Sequence, residues 1–147
     1  MREILFRGKR KDNGQWVEGN LFIPDSLDTP TQICIGTNIV RITYDVIPET
    51  VGQCTGLTDK NGKKIFEGDI IKVGINQRFM DVRWNEETLA WELTNIGVAE
   101  CEVNHLLNTF SLAKIQVETA YGKMVSEVIG NIHDNFELLN KMESEDE

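Results

Sequence analysis

The sequence predicts a mainly β chain: a small barrel, preceded by an N-terminal β-hairpin region and followed by a short helix. Three observations carry this prediction. Short apolar runs recur along the chain, apolar and polar residues alternate with period two within them, and Gly or Asn turn signals separate them. A chain of 147 residues is within the size of one domain, so the expectation is a single β domain over 1–143. Within it, N-terminal strands occupy 1–50 and the barrel about 51–133. An acidic, disordered tail is expected at 144–147.

Composition narrows the class. Apolar residues are 40% and charged residues 27% of the chain, the balance of an ordinary globular protein. No apolar run approaches the roughly 18 residues that span a bilayer, and the start, MREILFRGKRKDNG, lacks the apolar core of a signal peptide. Cys34, Cys54 and Cys101 are odd in number, widely spaced and set among strand formers, as suits a reducing compartment. A cytoplasmic location and no membrane association are therefore expected. The net charge of −9 works against nonspecific binding to nucleic acid or anionic lipid.

The elements follow in order. Ile4–Phe6 and Trp16–Ile23 flank Lys11-Asp12-Asn13-Gly14, where Asn-Gly supplies the positive φ of a tight hairpin. Pro24 to Pro30 reads as a surface loop. Gln32–Ile35 and Ile39–Val46 read as strands joined by Gly36-Thr37-Asn38, the second alternating as Ile42, Tyr44 and Val46. Val51, Gln53 and Thr55 then alternate with Gly52, Cys54 and Gly56. Asp59-Lys60-Asn61-Gly62 is a strong turn, because Asp and Asn close local hydrogen bonds and Gly accepts the left-handed conformation. Ile65 and Phe66 return, Gly68-Asp69 turns again, and strands over Ile70–Val73, Phe79–Trp84 and Leu89–Thr94 form a meander around Asn85-Glu86-Glu87. Val103–Phe110 reads as either a short helix or an irregular edge. Lys114–Thr119 and Val125–Ile132 read as strands around the turn Tyr121-Gly122, and a helix is expected from Asp134 to Lys141.

The segment Gln53-x-Thr55-Gly56-Leu57-x-Asp59-Lys60-Asn61-Gly62-Lys63-x-Ile65-x-Glu67-Gly68-Asp69-Ile70 resembles the YopX family of phage and prophage proteins. The opening Arg2-Glu3-Ile4-x-Phe6-Arg7 is similar to that family's start. Val128-Ile129-Gly130-Asn131-Ile132-His133 with Glu137-Leu138-Leu139 is similar to its end. The resemblance implies an SH3-like barrel, an origin in a phage or prophage of a bacterium, and self-association. It implies no catalytic residue, because the family carries no assigned activity.

Candidate chemistry can be tested position by position. A calcium loop with Gly62 as its glycine would place Leu57 at the first ligand and Gly68 at the bidentate Glu, and neither side chain can coordinate. A zinc site from Cys101, His105, Cys54 and His133 would rest on one loose pair. A thiolate nucleophile would need Cys54 beside His133 and Asp134, yet Cys54 lies within a strand. Glu67, Asp69, Glu86, Glu87 and Glu92 are close in sequence, but two occupy a turn and Asp69 follows a Gly where a side chain commonly ties the turn. The glycines are spaced for turns, not for a phosphate loop. No catalytic residue, metal or cofactor is therefore expected, and the chain is not expected to be an enzyme.

Two binding readings remain. Arg7, Arg10 and Lys11, with Arg2 and Lys9 and the aromatics Trp16 and Phe22, would form a cationic face able to stack single-stranded nucleic acid, against the acidity of the whole. Trp84 and Trp91 flank a turn and would lie close if the adjacent strands pair; exposed they would anchor an interface, buried they are ordinary core. Edge strands also offer unpaired backbone groups to another subunit. The leading expectation is a non-enzymatic interaction module that forms a homo-oligomer or binds a host or phage protein. The alternatives are a single-stranded nucleic-acid binder and a small hydrolase with a carboxylate or cysteine site.

Overall fold

A computed structural model describes residues 3–36, 40–73, 78–96, 109–112 and 126–140. Among the described residues the chain is mainly β, with two antiparallel sheets and a short helix near the C-terminus. It divides into two compact units, Met1–Gly56 and Leu57–Glu147, and the division falls inside a strand.

The first unit holds β1 (Phe6–Lys9), β2 (Trp16–Phe22), β3 (Gln32–Gly36), β4 (Arg41–Asp45) and the start of β5 (Gly52–Thr58). Their order is β4-β3-β2-β1-β5. The β1–β2 hairpin forms over the predicted Asn-Gly turn: Gly14 takes φ 70°, and the Arg10 N–H donates to the Gln15 carbonyl at 2.9 Å. Its ladder pairs Arg7 with Glu18 and Lys9 with Trp16. The sheet then closes on itself. Past β4, the Lys11 N–H donates to the Asp45 carbonyl (2.9 Å) and the Ile47 N–H to the Lys9 carbonyl (2.8 Å), around a bridge between Arg10 and Val46. Ile33 and Val46 are fully buried, and Thr50, after a 3-10 turn at Pro48–Thr50, accepts the Lys9 N–H through its hydroxyl at 2.9 Å.

The second unit continues from β5 into β6 (Lys64–Phe66), followed by β7 (Asp69–Val73), β8 (Arg78–Asn85), β9 (Ala90–Asn95), β10 (Thr109–Ser111) and β11 (Ser126–Asn131), then α1 (Phe136–Asn140). Its sheet runs β10-β9-β8-β7-β11, so the predicted meander is extended by a last strand that returns beside the first. The core is one face of this sheet. Ile71 and Val73 of β7, Met80 and Val82 of β8 and Leu93 of β9 pack with Ile65 and Leu112, and Leu57, Trp91 and Val128 close over them. In β8 the core side chains alternate with Asp81 and Arg83, the period the sequence pattern requires. A bulge between Val128 and Gly130 shifts the register of β11 by one, so Val128 opposes Ile71 while Gly130 opposes Ile70.

Several boundaries differ from the sequence expectation for local reasons. Leu89 is not in a strand: its φ of 52° makes it the last residue of the turn, and β9 begins at Ala90. The helix begins at Phe136 and not at Asp134, because the Asn131 side-chain oxygen accepts the N–H groups of His133 (3.0 Å) and Asp134 (2.9 Å) and holds them in a turn. Residues 109 and 110, at the end of the ambiguous Val103–Phe110 stretch, belong to β10. The rest of that stretch, Thr37 and Asn38, the strand expected at Lys114–Thr119, the turn Tyr121-Gly122 and the acidic tail lie outside the described residues.

Candidate functional site

The signature segment is built around Asp59. Its Oδ1 accepts the N–H groups of Asn61 and Lys63, each at 2.9 Å, which shapes the turn whose tip is Gly62 at φ 78°. Its Oδ2 accepts the Val128 N–H of β11 at 3.0 Å, a bond across 69 residues. The Lys60 N–H adds a bond to the Ser126 carbonyl (3.0 Å), and the Lys60 ammonium pairs with Glu127 at 3.1 Å. A row of β11 backbone groups that would otherwise be a bare edge is thus covered by a turn. Burial pushes the Asp59 carboxyl up, but the N–H groups of Val128, Lys63 and Asn61 and the charge of Lys63 together hold it below its ordinary value. Both oxygens are committed to backbone donors, so this carboxylate is a clasp.

Two further polar groups act in the same way. Asp69 is buried, and its Oδ2 accepts the Phe66 N–H at 2.8 Å, closing the turn that Gly68 makes at φ 85°. The Gly68 N–H donates to the Val82 carbonyl and its carbonyl accepts the Ile132 N–H, both at 2.9 Å, so one turn joins β8 to the end of β11. Asn131 and Asn135 are reciprocal: the Asn131 N–H donates to Asn135 Oδ1 (3.1 Å) and the Asn135 N–H to the Asn131 carbonyl (3.0 Å). Asn131 Nδ2 also donates to Asp134 Oδ2 at 3.1 Å, which engages the carboxylate that a Cys54 and His133 nucleophile site would need. Cys54 is buried in β5. Cys101 and His105 lie outside the described residues, among which no cluster of three His, Cys, Asp or Glu side chains could hold a metal ion.

The remaining carboxylates are dispersed. Glu92 accepts Asn85 Nδ2 at 3.0 Å and the Thr88 hydroxyl at 3.2 Å, while Asn85 Oδ1 accepts the N–H groups of Glu87 and Thr88. These bonds fix the β8–β9 turn on which Glu86 and Glu87 are exposed. Asp81 was not singled out from the sequence, since it occupies the polar phase of a strand. It is 3% exposed, its Oδ2 accepts Arg83 Nε at 2.6 Å, and its Oδ1 has no hydrogen bond among the described residues. Its face of the sheet is shared with Arg83, with which it pairs, and across β8 and β9 with Glu92, whose oxygens accept from Asn85 and Thr88.

The basic candidates are held by their own chain. The Arg7 guanidinium, only 9% exposed, lies 4.7 Å from the centre of the Trp16 ring, and the Lys9 ammonium is 5.7 Å from it. Trp16 thus has cations of its own against it where a stacked base would need an open ring. Arg10 lies 4.4 Å over Tyr44 and is paired with Asp12, Nε donating to Oδ1 at 2.9 Å. That hydrogen bond raises the Arg10 pKa and lowers that of Asp12. Lys11 is exposed in the hairpin turn.

Trp84 and Trp91 face each other directly across β8 and β9, ring centres 5.0 Å apart and planes at 67°, edge to face. Both are half-buried, and Trp91 packs on the core with its indole N–H lacking an acceptor among the described residues. At the tip of this hairpin Leu89 is 69% exposed in the left-handed region. A side chain there costs about 1–2 kcal/mol, and glycine avoids that cost while losing more entropy on folding. Leu89→Gly is therefore expected to raise stability by up to about 1 kcal/mol, measured by denaturant unfolding; a loss would mean that Leu89 has a contact that holds it there.

The comparisons with known proteins agree with this architecture. The family model described as YopX protein matches residues 5–140. Among solved structures, the crystal structure of protein EF1440 from Enterococcus faecalis is similar at 22% identity, over 95% of this chain and 99% of that one, with a TM-score of 0.54. At that identity the likeness speaks to the fold alone. No curated protein matches. The family match covers nearly the whole chain and includes both ends of the Asp59 clasp, so this chain belongs to the YopX family.

Proposed function

We propose that this protein is a non-enzymatic interaction module of a phage or prophage, acting in the cytoplasm of the bacterial host by self-association or by binding a host or phage protein. One contrast supports it. The carboxylates and amides best placed to do chemistry, Asp59, Asp69, Asn131 and Glu92, are engaged in holding turns and strand ends. Apolar side chains, by comparison, are left in water along one end of the first unit: Ile35, Val40 and Ile42 are 38%, 64% and 51% exposed. Such residues together on a sheet edge suit a binding surface better than a solvated face. No helix among the described residues is long and apolar enough to cross a membrane.

The test is the mass of the full-length protein by light scattering or sedimentation between about 1 and 100 µM, a range that reads dissociation constants typical of specific association. A mass above that of one chain, growing with concentration, is expected. A monomer throughout would count against self-association.

A further inference from the structure

The hydrogen-bond phase of β4 identifies which backbone groups are free. The Val46 N–H donates to the Thr31 carbonyl at 3.0 Å, and the register continues through Ile33 opposite Tyr44 and Ile35 opposite Ile42. In an antiparallel ladder the hydrogen-bonded positions alternate, so Ile42 and Tyr44 direct their backbone groups to β3 while Arg41 and Thr43 direct theirs outward. Beyond them the edge is already closed, because the Asp45 carbonyl accepts the Lys11 N–H. Among the described residues Arg41 to Thr43 is therefore a short, open length of edge, with exposed Ile42 at its centre and its cross-strand neighbour Ile35 alongside.

The geometry points to a second copy of this chain as the occupant, pairing β4 with β4 in antiparallel fashion about a two-fold axis at Ile42. This rests on the self-association proposed above and names its surface. In that register Arg41 of each copy opposes Thr43 of the other, and the outward N–H and C=O groups of these residues complete the ladder. Ile42 meets Ile42 across the axis, with Ile35 of each copy alongside, so four exposed isoleucines form one apolar strip on a single face. The opposite face carries Arg41, Thr43 and Asp45, because side chains alternate along the strand. The axis puts Arg41 of one copy diagonal to Asp45 of the other, within reach of a long side chain. Asp45 is steadied for this by Gln32, whose Nε2 donates to its Oδ1 at 2.8 Å. The strand is thus complementary to itself in backbone, apolar surface and charge, as a two-fold interface requires.

The experiment compares the full-length wild type with Ile42→Lys by sedimentation velocity, folding being verified by circular dichroism. Position 42 is exposed, so the variant is expected to fold. Two ammonium groups facing each other in place of an apolar contact are expected to weaken association at least about 100-fold. Arg41→Asp and Asp45→Lys are each expected to weaken it by about threefold, and the double variant Arg41→Asp/Asp45→Lys to recover it, as the diagonal pair demands. If the wild type associates and Ile42→Lys associates equally well, the β4 interface is wrong while self-association stands. If both charge variants weaken association and the double variant recovers nothing, this register is wrong. A wild type that is monomeric at about 100 µM overturns the interface together with the reading it rests on.

Discussion

Replacing Asp59 with alanine is expected to destabilise the unit from Leu57 to Glu147 by about 3 kcal/mol, read as a shift of the denaturant midpoint in equilibrium unfolding. The estimate follows from the three N–H groups that lose an acceptor. Hydrogen bonds to a charged group contribute about 1.5–3 kcal/mol each when buried. Asn61 and Lys63 belong to exposed residues, so water replaces most of what they lose. The half-buried Val128 N–H has no such recourse, and it also anchors β11 beside its bulge. Asp59→Asn separates charge from shape: one amide oxygen can serve the turn, but the NH2 group then meets the Val128 N–H as donor against donor. A loss below about 1 kcal/mol in both variants would mean that Asp59 is not the clasp.

The same carboxylate makes an acid signature. Its folded pKa lies below the ordinary value of 3.8, so its contribution is fully present above about pH 4 and is lost as pH falls through the depressed folded value. Wild-type stability should therefore drop more steeply below about pH 4 than that of Asp59→Asn, which has no proton to take up at this position. Parallel stability curves for the two proteins in that range would contradict the assignment.

What the sequence discloses of this protein is local. The Asn-Gly turn at Gly14, the turn from Asp59 to Gly62 and the Gly68-Asp69 turn are each specified within four residues, by side chains that bond their own backbone or by glycines that accept positive φ. The meander was legible because core residues alternate in β7, β8 and β9. What was not legible joins distant residues. Nothing near Asp59 announces that its second oxygen holds Val128, and nothing in β4 announces that its far end is closed by Lys9 and Lys11. The cationic patch shows the same limit: clustering of Arg7 and Lys9 is visible in sequence, but their use on Trp16 depends on a two-strand register. Leu89 carried no signal at all, because the conformation it adopts is one that leucine disfavours.

Glycine positions give the sharpest separation between a conformational cost and a packing cost, and Gly19→Ala is expected to be the most damaging single substitution in the first unit. A Cβ at Gly19 would lie 2.2 Å from the Cys34 carbonyl oxygen and 3.1 Å from Ile33 Cγ2. The obstacle is backbone within the β2–β3 ladder, next to the fully buried Ile33, so relief requires the two strands to part where the sheet curves to close. Overpacking of this kind costs about 3 kcal/mol or more, which would leave the unit largely unfolded, detected by loss of dispersed amide signals in NMR spectra. Two comparisons locate the cause. At Gly62 an added Cβ meets nothing within 4 Å, so Gly62→Ala bears only the cost of its positive φ, about 1 kcal/mol. At Gly130 the clash is with Asn135 Oδ1 at 2.2 Å, a side chain that can move by giving up its bond to the Asn131 N–H, which places Gly130→Ala between the two. If Gly19→Ala is no worse than Gly62→Ala, the close approach of β2 to β3 is not a constraint on the fold, and the closure of the first unit must tolerate a wider spacing than its hydrogen bonds imply.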